Sequence, residues 1–182
     1  MSSAFHKSAL FIDGLNLHFT AKALGFDIDF KRLLAEFARR GTLVRAYYYI
    51  AIFDDSAGYS TIRPLTDWLS YNGFTVVTKS ARAHSDGEGR RAFKRNIGVE
   101  LSVDAIEIAN HVHRIFLFSG DGDFCRLVKA IQGRGRQVTV VSSLRTNAPM
   151  IADELRRQAD EFLELDSLRA IVGRTMPSDG AQ

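Results

Sequence analysis

Two short stretches of this sequence place carboxylates where an apolar run breaks off. In "ALFIDGLN" the acid is Asp13; in "FLFSGDGD" Asp121 and Asp123 stand on either side of Gly122. A third group, Glu100, Asp104 and Glu107, is spaced along "NIGVELSVDAIEIAN". Two like charges about 4 Å apart repel by ~4 kcal/mol at an effective dielectric near 20. Carboxylates brought together therefore rise in pKa or take up a cation. Oxygen donors without histidine or cysteine suit Mg²⁺ or Mn²⁺. Such ions activate water and offset charge during phosphodiester cleavage, often as a pair ~4 Å apart.

The elements that must position these acids follow from apolar patterning. β-rich runs occur at "SALFI" (8–12), "TLVRAYYYIAI" (42–52), "GFTVVTK" (73–79), "RIFLF" (114–118) and "RQVTVVS" (136–142). Helical periodicity lies between them, in "FKRLLAEFARRG", "FCRLVKAIQGRG" and "MIADELRRQADEFL". Alternating strands and helices predict an α/β fold with a mainly parallel central sheet covered on both faces. Ligands of such sheets bind outside the carboxyl ends of the strands. If the first and fourth runs are parallel, Asp13, Asp121 and Asp123 share that edge. Along 96–110, at about 100° per residue, Glu100, Asp104 and Glu107 form a stripe roughly 60° wide. Apolar residues flank it on both sides: Ile97, Leu101 and Ile108 on one, Val99, Val103 and Ile106 on the other. That pattern predicts a largely buried helix exposing an acidic strip to a cleft. Segments 53–64 and 80–91 read as irregular, the second as a mobile basic loop, and the chain end as a flexible tail. The expected boundaries are a domain over 1–172 and a tail over 173–182.

Composition narrows the class of protein. With 182 residues, 46% hydrophobic and 25% charged, the chain is expected to fold as one soluble domain. No apolar run approaches the ~18 residues of a membrane span, and the N-terminus does not read as a signal peptide. The single cysteine rules out an intramolecular disulfide and a multi-cysteine metal cage, and fits a cytoplasmic setting. Net charge is +3, with basic residues gathered at Lys79–Arg95 (including Arg90, Arg91, Lys94 and Arg95) and at Arg126–Arg136. Such clusters suit a polyanion, although each is also compatible with solvated surface.

Plainer roles remain open for several of these residues. Asp123 can cap the following helix, Asp13 can serve a turn, and Glu100 and Glu107 can form surface salt bridges. His111 and His113, where a helix hands over to a strand, and Cys125 read as structural. "GDGDFC" imitates a dinucleotide fingerprint, but its aspartates would repel a pyrophosphate. An aspartyl-phosphate phosphatase is disfavoured because no threonine follows the second aspartate.

Taken together, "FIDGLN", "K-x-N-x-x-VELSVDA" and "LFSGDGDFCRLVKAIQGRGRQVTVV" resemble an NYN domain, and more narrowly the LabA-like branch of the PIN-like nuclease superfamily. The likeness spans roughly 8–166. It implies a Rossmann-like (PIN-like) three-layer α/β/α sandwich and a metal-dependent endoribonuclease using Mg²⁺ or Mn²⁺ to hydrolyse RNA. By position it implies metal binding by Asp13, Asp104, Asp121 and Asp123, with Asn16 orienting Asp13 or the attacking water. Ser119 would be a polar neighbour, and Arg90, Arg91, Lys94 and Arg95 would hold the RNA backbone. The expected partner is RNA, not a membrane, and a homodimer is compatible with the reading. One position departs from the branch pattern Lys-Gly-x-x-Asp-Val-x-Leu-x-x-Asp: Gly98 stands where its first Asp is expected. The alternative function is therefore a non-catalytic RNA-binding or regulatory module on the same fold.

Overall fold

A computed structural model of the protein describes residues 6–53, 56–81, 83–85, 91–93 and 97–174. In chain order the first half comprises β1 (Lys7–Asp13), α1 (Gly14–Leu24), α2 (Phe30–Arg39), β2 (Thr42–Phe53), α3 (Ser56–Tyr71) and β3 (Thr75–Ala81). Two short strands, β4 (Ala83–Ser85) and β5 (Arg91–Phe93), precede α4 (Gly98–Ile108) and β6 (Arg114–Phe118). The chain continues through α5 (Cys125–Gln132), β7 (Gln137–Ser142), α6 (Asp153–Gln158), β8 (Glu161–Glu164) and α7 (Arg169–Val172). The main sheet has six strands in the order β3-β2-β1-β6-β7-β8, and every pairing in it is parallel. This is the expected α/β/α architecture.

Strand alternation divides the core into two layers. Leu10 and Ile12 of β1 face one side, where they pack with Leu17 of α1, Leu33 and Phe37 of α2, and Leu69 of α3. Ala9 and Phe11 face the other, against Leu101 and Ala105 of α4 and Leu127, Val128 and Ile131 of α5. Because successive side chains of a strand point to opposite faces, uninterrupted apolar runs are what a sheet covered on both sides requires. β1 lies between β2 and β6, and Ile12 is level with Phe118. Asp13 and Ser119 therefore leave the sheet at the same height on its carboxyl edge.

Three local expectations are corrected. The segment 150–163 is not one helix: α6 ends at Gln158 and the chain returns as the edge strand β8, pairing Phe162 with Val140. A six-residue helix followed by a four-residue strand leaves too little of either period to tell apart in sequence. The stretch read as irregular over 53–64 is helical from Ser56, with Pro64 accommodated inside α3. Within 80–91, β3 runs on to Ala81, and β4 pairs antiparallel with β5; residues 82 and 86–90 lie outside the described residues. At the other end, the expected tail begins with two anchored residues. Gly173 bridges to Ile28 and the Arg174 amide donates to the Asp27 carbonyl; 175–182 lie outside the described residues.

Candidate functional site

The carboxyl ends of β1 and β6 are joined by a continuous hydrogen-bond network. Asp13 has extended backbone and caps α1, its Oδ1 accepting the Asn16 amide at 3.2 Å. Its other oxygen, Oδ2, accepts the hydroxyl of fully buried Ser119 at 3.1 Å. Ser119 Oγ in turn accepts the Asp121 amide at 3.3 Å. Asn16 Oδ1 accepts the Gly120 amide at 3.0 Å, so α1 grips the loop that follows β6. Asp121, rather than Asp123, is the cap here: its Oδ1 accepts the Asp123 amide at 3.0 Å and starts a 3₁₀ turn over Gly122–Phe124 leading into α5.

Gly120 is dictated by packing. A Cβ on it would lie 1.6 Å from the Met150 carbonyl oxygen, and the Ala152 amide donates back to the Gly120 carbonyl at 2.9 Å. The segment between β7 and α6 thus backs the acidic loop.

Burial raises the Asp13 pKa above the ordinary carboxyl value; the Asn16 amide and Ser119 hydroxyl oppose the rise, and the charge of Asp121 adds to it. The Cys125 thiol is also pushed up, by burial first and then by Glu154, Asp121 and Asp123. Burial leads both shifts, and neighbouring carboxylates add to each. A thiol held protonated is a poor nucleophile, in keeping with a packing role for Cys125.

These acids open onto a cavity of about 560 Å³ whose lining includes Asp13, Asn16, Asp121 and Asp123. Its opposite wall is α4, and here an expectation is reversed. The face that α4 turns to the cavity carries Gly98, Val99, Ser102, Val103 and Ile106, not the acidic strip. Leu101 and Ala105, fully buried, fix the rotation of the helix against the sheet. The strip is consequently turned toward β2 and β3. Asp104 accepts the Tyr49 hydroxyl at 2.7 Å. Glu100 pairs with Lys79 at 2.6 Å, which holds its carboxyl below the ordinary range. Tyr49 is the link back to the site: it is among the residues lining the cavity, while burial and the Asp104 bond raise its hydroxyl pKa. Three consecutive tyrosines in an apolar run gave no sequence sign of this role.

Gly98 lines the same cavity as Asp13, Asp121 and Asp123. Of the basic residues expected to hold a backbone, Arg90, Lys94 and Arg95 lie outside the described residues, and Arg91 is placed only as part of β5. The plainer role weighed for His113 is met: its Nδ1 accepts the Lys7 amide at 3.1 Å.

Among the described residues, no three histidine, cysteine, aspartate or glutamate side chains converge closely enough to hold a metal ion between them. What the edge offers is the Asp13–Asp121 carboxylate pair with a hydroxyl and amide oxygens around it. A hard-oxygen set with two carboxylates fits a largely hydrated Mg²⁺-type ion that shares its remaining positions with substrate phosphate, rather than a cage built wholly of protein.

The sequence matches the NYN domain over residues 7–166. The chain belongs to the NYN domain family. This is a PIN-like, nuclease-type family, and the resemblance carried by "FIDGLN" and "SGDGD" is thereby confirmed. The chain is 35% identical over 173 residues to the Low amplitude and bright protein LabA of Synechococcus elongatus, covering 92% of this chain and 88% of that protein. The crystal structure of a protein of unknown function from Vibrio parahaemolyticus superposes with a TM-score of 0.76 at 29% identity, covering 96% of this chain and 99% of the other. The NYN fold thus accounts for nearly the whole chain. No helix among the described residues is long and apolar enough to cross a membrane.

Proposed function

We propose that this NYN domain is a Mg²⁺- or Mn²⁺-dependent endoribonuclease whose site is the edge bearing Asp13, Asp121 and Asp123. The observation that carries the reading is the Asp13–Ser119–Asp121 hydrogen-bond chain, which joins two parallel strand ends beside an open cavity. Asp13 and Asp121 would hold the ion, with Asp123 at the rim. When bound, the ion would supply charge neutralisation at the phosphodiester and a more acidic water. Ser119 fixes the rotamer of Asp13. Asn16 holds the Gly120 loop, which keeps Asp121 facing Asp13. Asp104 acts through Tyr49, fixing this residue of the cavity lining by the hydrogen bond to its hydroxyl. Arg90, Arg91, Lys94 and Arg95 remain the proposed contacts to the RNA backbone.

The test is cleavage of a labelled RNA across a Mg²⁺ and Mn²⁺ titration, comparing the parent with Asp13→Asn and Asp121→Asn. Metal-dependent cleavage lost in both variants supports the mechanism. Equal cleavage by parent and variants overturns it.

A second reading, a non-catalytic RNA-binding module, is favoured by a specific observation. Gly98 contributes no side chain to the cavity where the branch pattern has an aspartate. This reading expects RNA binding without cleavage under any divalent ion, and binding that survives Asp13→Asn.

A further inference from the structure

A second cavity, of about 510 Å³, lies at the far end of α1, and its lining includes Lys22, Arg32, Arg169 and Arg174, with Asp27 as the acid among them. Arg32 and Arg169 are fixed in place: Arg32 donates to the Gly173 carbonyl at 3.2 Å, and Arg169 bonds Asp166 and the Leu24 carbonyl. Lys22 and Arg174 are exposed side chains with no ion pair among the described residues. α1 connects this cavity to the acidic one. Asn16 lines the first and Lys22 the second, a rise of about 9 Å along the helix. Between them is Phe19, which lines the acidic cavity and leaves 47% of its surface exposed. At about 100° per residue, Asn16, Phe19 and Lys22 fall within roughly 120° of one another, on one side of the helix.

We propose that this side of α1 is a track for a single-stranded RNA, with the Lys22–Arg174 cavity as a phosphate-binding exosite for the strand leaving the acidic edge. Aromatic surface beside a basic groove is the combination that single strands recognise, bases stacking on the ring while cations follow the backbone. A duplex offers no free base to stack on Phe19, whereas a single strand does. The inference rests on RNA being the ligand of the acidic edge, and extends that reading to residues outside it.

The experiment measures binding of a fluorescein-labelled single-stranded RNA by anisotropy in EDTA, so that no cleavage intervenes, for the parent and for Lys22→Glu/Arg174→Glu. Each single-strand phosphate contact contributes about 0.7 to the slope of log K against log salt. The double variant is expected to bind at least about tenfold more weakly, with that slope reduced by about 1.4. Lys22→Arg/Arg174→Lys, which keeps both charges, is expected to restore binding, and thermal melts of all variants to coincide. A parent that binds RNA in EDTA and cleaves it once Mg²⁺ or Mn²⁺ is supplied, with a double variant of unchanged affinity and slope, overturns the exosite alone. A parent that binds no RNA in EDTA yet cleaves it with Mg²⁺ or Mn²⁺ also overturns the exosite, and one that does neither overturns the functional reading on which it rests. Displacement of the RNA by polyglutamate at equal charge concentration assigns the surface to an acidic protein and overturns the proposal.

Discussion

Asn16 Oδ1 accepts the backbone amide of Gly120 at 3.0 Å, tying the first turn of α1 to the loop after β6 across 104 residues of sequence. The family resemblance implies that this asparagine orients the aspartate or a water. Its contact here is with main chain: it keeps two acidic elements in register. Asn16→Ala leaves the Gly120 N–H without that acceptor. The expected cost is about 1–3 kcal/mol, the penalty of an unsatisfied buried donor. Urea denaturation reads it, and an unchanged midpoint would show that the bond contributes nothing.

Gly120→Ala is expected to be far more damaging than its size suggests. The added methyl group meets the Met150 carbonyl oxygen at 1.6 Å, and its next nearest neighbours are also main-chain atoms of Met150 and Ile151. Overpacking costs about 1–3 kcal/mol, and more where, as here, main chain would have to move. Expression and thermal melting should show a strongly destabilised chain. Gly135→Ala is the control with free space around it, limited only by its positive φ of 70°.

The raised pKa of Asp13 carries a signed prediction for stability. A folded state that prefers the protonated acid has that advantage in full below the unfolded-state value of about 3.8, and loses it as pH rises through the higher folded value. Ionised Asp13 is therefore a burden at neutral pH. Asp13→Asn, which can still cap α1, should melt at a higher temperature than the parent at pH 7. The gap should close as pH falls toward 3.5. Mg²⁺ should raise the melting temperature of the parent more than that of the variant. Parallel profiles for the two proteins across this pH range would contradict the shift.

Gly98→Asp places a carboxylate on the cavity-facing side of α4, near its first turn, where an acid also suits the helix dipole. If the second reading under Proposed function holds, the substitution should create metal-dependent cleavage in an inactive parent. If the parent is already a nuclease, it should lower the Mg²⁺ concentration for half-maximal activity. Cleavage assays under identical metal titration separate the two cases.

If Asp104 acts through Tyr49, their substitutions should not add. Tyr49→Phe removes the donor and Asp104→Asn the charged acceptor of one 2.7 Å bond. The double variant should then lose no more activity than the more damaging single one, a departure from additivity of about 0.5–3 kcal/mol. Additive losses would make Asp104 an independent contributor.

The sheet was legible because strands buried on both faces must be apolar throughout, and five such runs stand where β1, β2, β3, β6 and β7 are found. β8 was hidden by its brevity and by the charged residues before it. The sharing of one sheet edge by Asp13, Asp121 and Asp123 followed once parallel pairing was assumed, whereas Ser119 came only from the family resemblance. The rotation of α4 did not. A helical wheel gives angles between residues, not which flank meets the sheet, and both flanks of the acidic strip were apolar. Packing of Leu101 and Ala105 decided it, and gave the cavity Val99 and Val103 instead of Glu100 and Glu107. Lys22 and Arg174 lie 152 positions apart and carry no motif; the Ile28–Gly173 bridge brings their segments together.

The contact of Met150 and Ala152 with Gly120 also sets an order of events. During synthesis, Asp13, Asp121 and Asp123 emerge well before the segment that presses the Gly120 loop into place. A nascent chain shorter than about residue 152 holds all three acids but not the backing that fixes their spacing. The acidic edge is therefore completed late, and a chain still on the ribosome carries its carboxylates without their finished arrangement.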